Sequence, residues 1–204
     1  MTAGNLLRAG LLALLLALVL RPDWFAPLFA PLAPAGGPVI YARSSLLSLS
    51  LSHLGLVALA SVAATLVAVA LAIFVTRPVG ASFLPLSRTI TNIGQTFPPV
   101  AVLALAVPAL GFGAGPTLVA LFLYGLLPIF ENAITALSTL PPATMEAARG
   151  MGLNRWQRLW RVELPLALPV ILTGIRLSVV IALGTATIGS TVAARTLGEV
   201  IIAG

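Results

Sequence analysis

From Ser44 to Thr76 the chain carries no Asp, Glu, Lys or Arg, and within that stretch Leu54 to Val75 is predominantly apolar. At about 1.5 Å of rise per residue, such a run folded as a helix crosses the roughly 30 Å hydrocarbon core of a bilayer. The pattern recurs. Thr89 to Phe130 is also free of charge, and Leu166 to Val192 is interrupted by Arg176 alone. An ionised side chain at the bilayer centre costs at least about 2.5 to 3.5 kcal/mol on insertion scales, so charge-free runs of this length mark crossings. Composition agrees. Only 8% of residues are charged and 59% are apolar, with a mean hydropathy of +1.11, whereas a water-soluble domain carries about 25% charged residues. A soluble fold is excluded. At about 20 apolar residues per span plus loops, a chain of 204 residues holds roughly five or six membrane helices and no second soluble domain.

The runs divide further. Gly111-Phe-Gly-Ala-Gly-Pro116 is a helix-breaking cluster inside the second run, which therefore folds as two spans. Near the start, Ala9 to Leu20 is a leucine-rich dozen between Arg8 and Arg21. Twelve residues make only about 18 Å of helix, so this segment spans only if Asn5 to Leu7 add a turn and the arginines snorkel. The alternative is a signal peptide, with Arg8 before the apolar core and Ala33-Pro34-Ala35 as a weak cleavage site. An anchor is the preferred reading, because that site lies unusually far from the core. Trp24 to Pro38, rich in proline and glycine, reads as an irregular extracytoplasmic loop. The chain thus divides into an N-terminal anchor and loop, 1–45, and an all-α polytopic helix bundle, 46–204.

Cysteine is absent, and His53 and the five acids (Asp23, Glu131, Glu146, Glu163, Glu199) are scattered too thinly for a metal cage or an acid/base pair. Enzyme chemistry is a poor fit. His53 stands among Ser48, Ser50 and Ser52, but no Gly-x-Ser-x-Gly elbow or nearby acid accompanies it, so it reads as an interfacial polar turn. The net charge of +6 comes from arginines that follow the positive-inside rule, not from a nucleic-acid surface. With the 141–165 loop inside, Arg8, Arg77, Arg88, Arg149, Arg155, Arg158 and Arg161 fall on the cytoplasmic side and only Arg21, Arg43 and Arg195 outside. The N-terminus is then cytoplasmic.

That loop is a polar island between two apolar spans. Pro142 suits a first helical turn, and Gly150 and Gly152 end the helix it starts. Asn154, with Gln157 three residues on, caps a second helix that Pro165 closes. Trp156, Leu159 and Trp160 share one face of it, with Arg155, Arg158 and Arg161 offset, which also fits an interfacial helix lying on anionic lipid.

The residues carry a more specific pattern. Glu146-Ala147-Ala148, three residues, Gly152, nine residues, then Val162-Glu163-Leu164-Pro165 resembles the EAA loop of ABC importer permeases, with Val162 where the pattern has Ile. The likeness extends through Thr76-Arg-Pro78, Gly94-Gln-Thr-Phe-Pro-Pro99, Tyr124-Gly-Leu-Leu-Pro128, Gly174-Ile-Arg176, Gly184-Thr-Ala-Thr187 and Leu197-Gly-Glu199 to the permeases of glycine betaine, choline and related osmoprotectant importers. It covers about Tyr41 to Gly204. Such permeases usually have one more span after the Leu-Gly-Glu segment, so the resemblance implies that the last helix is missing here.

The resemblance implies a type I, binding-protein-dependent importer permease of about five membrane helices. It implies a second permease subunit, identical or not, a pair of cytoplasmic ABC ATPases that bind the ATP, and a substrate-binding protein outside. No cofactor is expected on this chain itself. Glu146, Ala147, Ala148, Gly152, Val162, Leu164 and Pro165 would then be the residues that couple to the ATPase. Small Ala147 and Ala148 would let a helix sit deep in a groove of the motor, Glu146 would meet a donor there, and Gly152 would turn the chain.

Along the bundle, Pro98, Pro99, Pro108 and Pro128 each remove a backbone donor and are expected to kink or unwind the third and fourth spans. Asn92, Gln95, Thr96, Phe97 and Tyr124 nearby are candidates for lining a pathway, against the alternative that they bond back to their own helices. Gly174, Ser178, Ala182, Gly184, Ala186 and Gly189 permit close helix approach. Glu131 and Arg176 come at similar depth and are a candidate intramembrane ion pair, with snorkelling as the rival.

Overall fold

The computed structural model describes residues 3–32 and 39–203, which are mostly helical with no strand among them. Helix α1, Ala3–Leu20, is 18 residues long, about 27 Å. It starts six residues before the apolar dozen and so has nearly the length of a span. Short helical turns follow at Pro22–Phe25, α2 (Ala26–Phe29) and Ala30–Leu32. The irregular loop expected from Trp24 is therefore helical as far as Leu32, because its prolines fall in the first residues of successive turns, where a missing N–H costs nothing. The proposed cleavage site, Ala33 to Ala35, lies outside the described residues.

The bundle is built on α3 (Leu46–Val75) and α6 (Ala114–Ser138), with α9 (Leu164–Thr185) against both. Helix α3 begins at Ser45, whose side chain accepts from the Ser48 N–H. It is apolar all round and has no amphipathic stripe; its inner face is set by residue size. Ala60, Ala64, Ala68 and Ala72 recur every four residues and are all buried. Small side chains there let backbones approach closely. Leu126, Ile129, Phe130 and Ala133 of α6, with Ala167 and Ile171 of α9, close the same core.

The seam along α6 uses the small residues of α9 and of the 3-10 segment that follows it, Ala186–Val192. A methyl group at Gly174 would stand 2.7 Å from the Pro128 carbonyl oxygen, and one at Gly189 would stand 2.7 Å from Thr117. Ser178 faces Gly125 in the same way. Gly184 differs, with no atom within 4 Å of such a methyl.

Between α3 and α6 the chain makes a bent pair, α4 (Leu84–Thr96) and α5 (Pro99–Leu110), which meet at 98° across Phe97-Pro98. Unwinding is thus found at Pro98 and Pro99. At Pro108 and Pro128 the helix continues. Gly111 and Gly113, with φ of +73° and +114°, make the expected turn into α6. Three helices, Leu46–Val75, Ala114–Ser138 and the rod Arg155–Val192, are long and apolar enough to span, or up to five if each bent pair is one crossing.

Candidate functional site: a coupling hairpin and the polar face of a broken helix

The 141–165 segment folds as the two expected short helices. Helix α7, Pro142–Gly150, ends at a turn in which Gly152 has φ of +77°, a conformation that side-chain-bearing residues rarely adopt. Asn154 and Gln157 then form a reciprocal capping box at the start of α8, Arg155–Arg158. Glu146 and Ala147 are exposed, whereas Ala148 is buried at 1%. The two alanines therefore differ: Ala148 seats α7 on the protein and Ala147 faces outward.

Helix α8 does not close at Pro165. It runs through a π-helical turn, Leu159–Glu163, straight into α9, with Leu164 N–H donating five residues back to Leu159. Pro165 falls in the first turn of α9, where its missing donor is absorbed. The expected apolar face is divided. Leu159 is buried, while Trp156 and Trp160 remain exposed. Val162 and Leu164 are half-buried, Leu164 against the main core.

The π turn has an electrostatic consequence. Arg158 and Glu163 are five residues apart, a spacing that an α-helix does not bring face to face, yet Arg158 Nε donates to Glu163 Oε1 at 2.9 Å. The other carboxylate oxygen, Oε2, accepts from Arg77 Nη2. Glu163 is 2% exposed, so one buried carboxylate ties the hairpin to the loop that leaves α3. An open groove of about 900 Å³ lies above this joint, walled by Phe74, Arg77, Glu146, Arg149 and Trp156. Sequence reasoning missed Arg77, Arg158 and Glu163 as a unit. Glu163 occupies the unrestricted position of Val-Glu-Leu-Pro, and the only signal was the Thr76-Arg-Pro78 run far away in the chain.

The second constellation surrounds the α4–α5 break. Gln95 Nε2 donates to the Tyr124 carbonyl at 3.0 Å, and the Tyr124 hydroxyl donates to the Phe97 carbonyl. Tyr124 is buried at this seam, while Asn92, Gln95, Thr96 and Phe97 are exposed. Thr96 bonds back to Ile93 of its own helix at 2.8 Å. Glu131 does not meet Arg176. Its carboxylate takes Arg88 in a two-pronged contact of 3.0 and 3.2 Å, because α4 crosses α6 at that level. Arg176 is exposed on α9 and has no ion-pair partner among the described residues. His53, expected at an interface, is 3% exposed and bonded to Leu183 and Leu197.

The family described as the binding-protein-dependent transport system inner membrane component matches residues 68–204, which hold both constellations. The chain belongs to that family. As a member it is a multi-pass inner-membrane transport subunit that performs no bond chemistry itself and works with an ATPase and a substrate-binding protein. Among curated relatives, the osmoprotectant import permease protein OsmY of Salmonella typhimurium is 44% identical over 159 residues, covering 78% of this chain and 67% of OsmY. The carnitine transport permease protein OpuCD of Listeria monocytogenes is 44% identical over 115 residues, 56% of this chain and 52% of OpuCD, so the chain spans about half of that relative. A solved chain of the MetNI methionine ABC transporter, from a study of its inward-facing conformations, shares the family fold. It superposes with a TM-score of 0.65 at 23% identity, over 76% of this chain and 77% of that one.

Proposed function

We propose that this chain is the permease of an ATP-driven importer of osmoprotectants of the glycine betaine, carnitine and choline kind, and that the 141–165 hairpin is the handle by which the ATPase moves it. The observation that carries the coupling role is the asymmetry of the hairpin. Ala148 is packed against the protein, and Ala147 and Glu146 present a small, charged-edged outer face to a partner. Arginine distribution supports a cytoplasmic hairpin and N-terminus. The substrate class rests on the relatives' activities.

The working assembly is two permease subunits, identical or sister chains, two ATPases below and a binding protein above. ATP closes the ATPase pair, the docked hairpins move with it, and the π turn and the Glu163 joint carry that motion into α9 and α3. The bundle then passes between two arrangements open to opposite sides.

Reconstitution of the chain with its ATPase and binding protein in liposomes tests this reading. Glycine betaine or choline uptake that requires ATP is expected. Ala147→Trp is expected to leave membrane insertion intact and abolish both ATPase co-purification and uptake. Normal uptake by Ala147→Trp would remove the hairpin from its role.

A further inference from the structure

One face of α4 is unsuited to lipid. The helix buries Ser87, Thr91 and Gly94 against its neighbours and turns Arg88, Asn92, Gln95 and Thr96 outward. At spacings of four, seven and eight residues from Arg88, these side chains share one side of the helix. Glu131 of α6 joins them through the two-pronged contact with Arg88. Both side chains remain open, Arg88 at 51% and Glu131 at 38%. Glu131 lies about 10 Å along α6 from its Ser138 end, and the contact draws Arg88, which the arginine count places in the cytoplasmic loop, to the same level inside the span. Ionisable groups at such depth face protein or water-filled space, because hydrocarbon exposure costs several kcal/mol. In the proposed importer, that space is the passage beside a second permease subunit.

We propose that Arg88 and Glu131 are specificity-determining residues of the passage: a zwitterionic substrate opens their ion pair, its carboxylate taking the Arg88 guanidinium and its quaternary ammonium the Glu131 carboxylate. The inference rests on the osmoprotectant reading above and names the part of the chain that handles the substrate's charge. Empty, the pair is neutral overall and each group stabilises the other. Occupied by a zwitterion, each group keeps an opposite charge, so neutrality holds before, during and after passage. A pure cation such as choline satisfies Glu131 alone and leaves Arg88 without a counter-charge. Since the protein's own partner competes for each group, the substrate is held weakly enough to leave, as conduction through any passage requires.

The full complex in liposomes, with saturating binding protein, provides the test. Initial uptake of glycine betaine and of choline is measured for the unaltered chain, Arg88→Gln and Glu131→Gln, with insertion and ATPase rate followed in parallel. For Arg88→Gln, betaine uptake is expected to fall at least about tenfold relative to choline, as loss of a charge-assisted hydrogen bond to a carboxylate implies. Glu131→Gln is expected to lower uptake of both. If Arg88→Gln does not assemble, Arg88→Lys keeps the charge, loses the forked contact, and is expected to shift the ratio in the same direction by less. An unchanged betaine-to-choline ratio in the Arg88 variants overturns the proposal and leaves the pair a structural clasp. An unaltered complex that imports neither solute overturns the osmoprotectant reading and this inference with it.

Discussion

Gln95 supplies to Tyr124 the hydrogen bond that Pro128 withholds. In an α-helix the carbonyl of Tyr124 would accept from the N–H of residue 128, but proline has none. The Gln95 side-chain amide, reaching from α4, occupies that acceptor at 3.0 Å. The acceptor that Pro128 leaves open is thus met where α6 continues through it, and the same bond ties the end of α4 to α6. The Tyr124 hydroxyl completes the exchange by taking the Phe97 carbonyl at the break.

Gln95→Leu should therefore act at a distance from its own helix. It leaves the Tyr124 carbonyl without a donor, a loss of about 1–3 kcal/mol for a buried acceptor. The expected outcome is a lower unfolding midpoint in detergent. Asn92→Ala, three residues earlier on the same outward side and with no side-chain hydrogen bond among the described residues, serves as the control. Equal midpoints for the two variants would show that Gln95 is not what sustains α6.

Glu163→Gln removes the charge that two arginines share. Breaking a buried ion pair is strongly destabilising, about 3–5 kcal/mol, but Arg77 and Arg158 keep side-chain exposures of 30% and 16% and can turn toward water. A loss at or below the low end of that range is expected. The larger effect is on transmission: ATP hydrolysis should continue while uptake falls, since the hairpin loses its tie to α3. A double-mutant cycle with Arg77→Gln measures the coupling. Additive losses would show that the two residues act independently.

How much of this was legible beforehand follows from what each feature depends on. The spans, the Gly111–Gly113 turn and the Asn154 cap depend on residues adjacent in sequence, and their patterns announce them. The prolines announced a disruption somewhere, but only α4's position decides that Pro98 breaks its helix and Pro128 does not. The partner of Glu131 was misassigned to Arg176 because depth along a helix says nothing about which helix is the neighbour. Arg88 sits at the same level on α4, which begins at Leu84, whereas the charge-free run used to place that span begins only at Thr89 and so leaves Arg88 out. The π turn left no local signature at all. It is visible only through the pairing of Arg158 with Glu163.

Glycines divide into those that the packing demands and those it does not. A methyl at Gly94 would stand 2.4 Å from the Leu123 carbonyl oxygen, and backbone atoms cannot yield cheaply. Gly94→Ala should push α4 off α6, at a cost of about 1–3 kcal/mol for overpacking, and loosen the Gln95 contact one residue on. Gly184 has open space around it within this subunit. Gly184→Ala should be neutral or stabilising by up to about 1 kcal/mol through helix propensity. A large loss there would instead mark that face as an interface with another subunit. Thermal unfolding of both variants side by side reads the contrast.

His53 illustrates how one ring can hold three segments. Leu197 N–H can only donate, so His53 Nδ1 accepts, at 3.4 Å, and the ring proton stands on Nε2, which donates to the Leu183 carbonyl at 3.1 Å. The ring thus joins α3 to the end of α9 and to the turn before α10 (Gly198–Ala203). Phenylalanine fills the same space with no polar atom. His53→Phe should leave the Leu183 carbonyl and the Leu197 N–H unmet and release the C-terminal turn, for a loss of about 1–3 kcal/mol. Backbone amide exchange should then quicken at Leu197 and Gly198 while α6 keeps its protection. Unchanged exchange at Leu197 would mean that the turn is held instead by Thr196, whose hydroxyl accepts from Gly198 N–H at 3.2 Å.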